Sequence, residues 1–168
     1  MRKAFTLIEL LMIILIVAIL VAIVLPQYQT AVDQGRWSSL VISSRSLADA
    51  QNIYFMSTGS YSDSASQLPI EIPGTISDNQ IITQEGVYTL QNDYLQNKIE
   101  GQHNKLPNNL LVLYLPASSE FAGNLHCEAT TANTRANSLC ITLGGVIIGE
   151  HNGKTVYLLE GTSTGSFD

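Results

Sequence analysis

The chain has 168 residues, 45% of them hydrophobic, and a formal net charge of −6 from 14 acidic and 8 basic side chains. That length accommodates one globular domain plus a membrane anchor and requires no second domain. Beyond residue 4 only six Lys and Arg remain, no two of them adjacent, which argues against a built-in nucleic-acid surface, and no nucleic acid is expected to bind the chain alone.

The chain opens with Met1, Arg2, Lys3 and Ala4, and residues 5–25 are then apolar except for Thr6 and Glu9. Twenty-one residues at helical rise cover about 30 Å, the hydrocarbon thickness of a bilayer. Basic residues ahead of the apolar run predict a cytoplasmic N-terminus and an exported C-terminal part, a single-pass arrangement. A secretory signal peptide is the competing reading. Its apolar region is normally shorter and ends in a small-residue cleavage site, whereas this run ends in Leu25, Pro26, Gln27 and Tyr28.

Glu9 is the anomaly in that run, because a carboxylate in hydrocarbon is costly unless a partner neutralises it. A cut between Ala4 and Phe5 would create an ammonium group four residues before Glu9, one helical turn away. The amine could pair with Glu9 of its own chain or of a neighbour, and the second arrangement builds a polymer.

Pro26 lacks an N–H and crowds the preceding turn, so it is expected to kink the helix; a helix ending there is the alternative. Periodicity resumes after it, with Trp37, Leu40, Val41, Leu47, Ala48, Tyr54 and Phe55 at three- and four-residue intervals. Asp33, Arg36, Ser39, Arg45, Asp49 and Asn52 are placed on the opposite side. One helix is therefore predicted from residue 5 to about residue 56, roughly 75 Å long, its first half projecting and its second half packed on one face. Gly35 is a weak point within it, and Gly59 is suited to close it.

Residues 61–86, rich in Ser, Asp, Pro and Gly, are read as a loop, with Pro69 and Pro73 breaking longer elements. Strands are predicted at 86–90, 109–115, 139–148 and 155–159, with residues 93–105 left as loop or a short helical turn. His151, Asn152 and Gly153 signal a tight antiparallel hairpin between the last two, and Gly144 and Gly145 are read as a bulge. The fold class is α+β: a long N-terminal helix packed on a C-terminal four-stranded antiparallel sheet. Its parts are 1–4, 5–25, 26–58 and a head at 59–168.

Cys127 and Cys140 are the only cysteines and both lie in the part predicted to be exported, which favours a disulfide; two buried thiols are the alternative. No metal site is expected from two cysteines and the dispersed His103, His126 and His151. No phosphate loop or nucleophile motif is present, and His151 is better read as turn chemistry than as a base. No enzymatic activity, catalytic residue or cofactor is predicted.

The basic leader, the run Ala4, Phe5, Thr6, Leu7, Ile8, Glu9, the apolar helix and Pro26 together resemble a type IV prepilin. The resemblance implies the pilin fold, cleavage by a prepilin peptidase before Phe5, methylation of the new amine, and a role for Glu9 in subunit registration. It also implies that the disulfide bounds an outward-facing region at 128–139. One departure is Ala4, where the family usually has Gly; a small residue is kept. The expected function is a structural subunit, held in the inner membrane after leader removal and polymerised by the assembly machinery into an extracellular filament for adhesion or twitching motility. A type II secretion pseudopilin shares the N-terminal motif, but such proteins typically carry an acidic calcium loop near the C-terminus and no disulfide there. A monomeric membrane-anchored binding module is the reading from a different class, and it leaves Glu9 without a partner.

Overall fold

The structure, a computed structural model, describes residues 6–93 and 95–162. Helix α1 (Leu7–Thr58) is continuous over 52 residues, about 78 Å at helical rise. It runs through Pro26, so the alternative of a helix ending there does not hold. The ring removes only the N–H that the Ala22 carbonyl would accept, and Thr30 Oγ1 donates to the Pro26 carbonyl at 3.2 Å. Gly59, at φ 79°, closes α1 in the left-handed region and donates its N–H to the Phe55 carbonyl at 2.8 Å.

Residues 7–31 of α1 are exposed all round, whereas beyond them Asp33, Trp37, Leu40, Ser44, Leu47, Ala50 and Gln51 are buried. Those positions alternate by four and three residues, with Ala50 alongside, which defines one face. Asp33 therefore belongs to the packed side and not to the polar side where its charge placed it.

The head begins with a 3-10 turn (Ala65–Gln67) and holds eight strands: β1 (Thr75–Ser77), β2 (Gln80–Ile82), β3 (Gly86–Asn92), β4 (Asn97–His103), β5 (Asn109–Tyr114), β6 (Leu125–Thr130), β7 (Val146–His151) and β8 (Lys154–Glu160). They form one antiparallel sheet in the order β1-β2-β3-β4-β5-β6-β8-β7. The sheet thus has eight strands and not four. Four strands are additional: β1 and β2 are only three residues each inside the Ser- and Pro-rich stretch, while β4 and β6 read NKIEGQH and LHCEAT, with one β-branched residue apiece. In β4 the alternation is nevertheless present, because Ile99, Gly101 and His103 point inward.

Residues 139–148 are not one strand. Helix α2 (Thr134–Thr142) occupies the first part, capped by Asn133 Oδ1 accepting the Ala136 N–H at 3.0 Å, and β7 begins only at Val146. Gly144, at φ 89°, lies in the turn that follows α2, and the irregularity in β7 falls between Ile147 and Gly149. The hairpin at Asn152 and Gly153 is formed as read, both residues having positive φ, 49° and 73°.

The main core lies between α1 and one sheet face, around Trp37, Leu40, Leu47, Tyr88, Ile99 and Leu111. Gly101 on β4 permits the close approach, since a Cβ there would stand 3.1 Å from Ser44 Oγ. A smaller cluster of Val112, Tyr114 and Phe121 fills the other face, as the two-residue alternation with Leu111 and Leu113 requires. Gln51, fully buried, ties the chain leaving α1 back onto it: its amide donates to the Ser62 carbonyl at 2.8 Å and accepts the Ser62 N–H at 2.9 Å.

Candidate functional site

Of the functional residues read from the sequence, Glu9 and Pro26 lie on α1, Cys127 on β6 and Cys140 on α2. Leader residues 1–4, and with them the processing positions Ala4 and Phe5, lie outside the described residues. Glu9 sits in the first turn of α1, where the Thr6 N–H and hydroxyl donate to its Oε2 at 3.0 and 2.8 Å and its own N–H donates to Thr6 Oγ1 at 3.4 Å. This reciprocal arrangement is a capping box. It holds the carboxylate at the positive end of the helix dipole, so Glu9 already has a partial answer within its own chain. Thr6 was not singled out from the sequence, although Thr-x-x-Glu is the signature of such a cap.

From Leu7 onward the helix is long and apolar enough to cross a membrane, and its apolar window has none of its residues buried by the rest of the molecule. Apolar surface on that scale requires lipid or other protein against it.

Where α1 enters the head, Asp33 is 3% exposed and accepts from two arginines. Arg135, in the first turn of α2, donates through Nε at 2.9 Å and Nη2 at 2.6 Å to Oδ2, while Arg36 Nη1 donates to Oδ1 at 3.0 Å. Sequence reasoning offers no pairing for Asp33, yet its place four residues before Trp37 and seven before Leu40 is the available signal. At the other end of α2, Cys140 is bonded to Cys127 of β6, the disulfide expected from the sequence. Asn109 braces this corner by donating to the Ala136 carbonyl at 2.9 Å. The stretch 128–139 is mixed in exposure: Thr131, Ala132, Thr134, Arg135 and Ser138 face solvent, but Ala129, Ala136 and Leu139 are buried. An amphipathic helix starting at Thr134 accounts for the inward residues.

The three histidines do not converge. His103 ends β4 near α1, His126 is buried among Tyr114 and Phe121, and His151 stands at the exposed hairpin. Burial first, and Lys98 second, push the His126 imidazole down to about 4, so it is neutral near pH 7. Among the described residues no group of three His, Cys, Asp or Glu side chains is placed to hold a metal.

No protein-family model matches this chain, and comparison with curated proteins and with solved structures likewise finds no match.

Proposed function

We propose that the chain is a structural subunit of a type IV pilus, held in the inner membrane by residues 5–25 after leader removal and then polymerised through α1 into an extracellular filament. The observation that carries this reading is an N-terminal half-helix exposed on every side whose one carboxylate is Glu9. Such a helix leaves lipid only if the same apolar area is reburied against other copies, at about 25 cal/mol per Å² kept from water. Glu9 then exchanges its Thr6 contacts for the Phe5 amine of an incoming subunit and so sets the register, because only one longitudinal offset brings the two charges together. The Cys127–Cys140 disulfide favours a pilin over a type II pseudopilin.

The packed second half of α1 supports the same reading, since it fixes a rigid head to a free apolar helix and so presents every copy alike. Replacing Glu9 with Val should leave membrane insertion intact and abolish or cripple filaments in electron micrographs of sheared surface material. Normal filaments from that variant would refute the assigned role.

A further inference from the structure

We infer that the foot of the head, around Arg135 and Lys105, is a docking surface for the phosphates of an anionic phospholipid leaflet. The inference rests on residues 5–25 spanning the bilayer, as proposed above, and concerns the chain before polymerisation.

Four connections meet at the end of the sheet where α1 enters: residues 83–85, 104–108, 131–133 and 152–153. Around them lie four cations, Arg36, Lys105, Arg135 and Lys154, against four carboxylates, Asp33, Glu85, Glu128 and Glu150. Of the described residues, the rest of the head carries eight carboxylates against only Arg45 and Lys98. The acidic head is thus strongly polarised, and its uncharged-on-balance end faces the apolar helix. An anionic leaflet repels the acidic remainder of the head more than it repels this end.

Within that end the cations are close together. His103 feels Arg36, Lys105, Asp33 and Glu85, and one crevice of about 300 Å³ is lined by Asp33, Lys105 and Arg135 together. Lys105 is exposed and makes no ion pair among the described residues. A second crevice of about 200 Å³ runs between α1 and α2 and is lined by Pro26, Gln29, Thr30, Asp33, Arg135 and Ser138.

The depth is what selects lipid. Pro26 directly follows the apolar run, and the polar layer on each side of a bilayer is about 5–7 Å thick. Asp33 is eight residues beyond Leu25, about 12 Å along the axis. Arg135, held on Asp33, lines together with Pro26 the crevice that spans this distance from headgroup level upward. Its carboxylate contacts use Nε and one Nη2 proton, so Nη1 remains to meet a phosphate. The acidic end of a second copy offers the same charge, but it would have to reach the foot at the level of the headgroups.

The test compares the full chain in nanodiscs of phosphatidylcholine and in nanodiscs containing phosphatidylglycerol, reading amide hydrogen exchange at residues 103–109 and 133–139. Each basic residue at an anionic surface strengthens association about fivefold, so exchange there should slow several-fold in the anionic discs. The protection should vanish in about 1 M salt, where the screening length falls to about 3 Å. Lys105→Glu should remove most of it while leaving the disulfide and Trp37 fluorescence unchanged. Equal exchange in both disc types, with the chain inserted, would overturn this inference alone. So would protection reproduced by inorganic phosphate in phosphatidylcholine discs, which marks a free-anion site, or protection that requires two chains per disc, which marks a second copy. Failure of the chain to insert at all would overturn the membrane reading as well.

Discussion

Arg135→Ala removes the two charge-assisted hydrogen bonds that join α2 to α1, leaving Asp33 with Arg36 alone. Hydrogen bonds to charged groups contribute about 1.5–3 kcal/mol, and stripping one partner from a buried pair costs about 3–5 kcal/mol. Two features pull the figure down. The Arg135 side chain is 65% exposed, so solvent screens it, and Arg36 still covers Oδ1. A loss of about 1.5–2 kcal/mol follows, which lowers a urea midpoint by roughly 1 M for a head of this size. Trp37 is the only tryptophan, 2% exposed and one helical turn from Asp33, so its fluorescence reports the transition directly in detergent-solubilised full chain. Asp33→Asn removes the charge that Arg135 answers, so the double variant should cost at least about 1 kcal/mol less than the sum of the singles. A single-variant loss under about 0.5 kcal/mol, or strict additivity, would refute the clamp.

Three further outcomes follow from the core and the disulfide. His126 has a folded pKa of about 4 against about 6.5 unfolded, so its neutral form stabilises the head fully above pH 6.5, and that stability is lost as pH falls toward 4, by about 3 kcal/mol in all. Denaturant titrations across that window should flatten in His126→Leu, leaving the weaker slope of His103, whose pKa burial also lowers; an unchanged slope would count against it. Gly101→Val drives a side chain against Ser44 and Tyr88 and should destabilise by about 1–3 kcal/mol in thermal melts, whereas Ser44→Ala, which removes a buried hydroxyl with no partner among the described residues, should be neutral or stabilising. Cys140→Ser opens a loop with a sequence separation of 13 and should cost about 3 kcal/mol, a melting shift of about 12 °C or more.

The long helix, its closing glycine and the last hairpin were legible because each rests on local chemistry: unbroken apolar or three-four periodicity, a left-handed Gly59, and positive φ at Asn152 and Gly153. The disulfide was legible because Cys127 and Cys140 are the only two cysteines and lie on the same side of the apolar run. What escaped depends on tertiary context. β4 hides its alternation because its inward residues are Ile99, Gly101 and His103, which let α1 approach, and only one of them is a strand former. α2 was masked by a run of apolar residues continuing into β7, which period alone cannot divide at Gly144. Asp33 read as solvent-facing because a carboxylate is buried only when a distant partner is in place, and Arg135 lies 102 residues away.

A cut chain whose new amine meets Glu9 of its neighbours is the central claim, and the intact mass of the protein recovered from sheared surface filaments tests it most directly. The expected species begins at Phe5, carries one methyl group and contains the Cys127–Cys140 disulfide. A chain that still begins at Met1 and never occurs in filaments would contradict it.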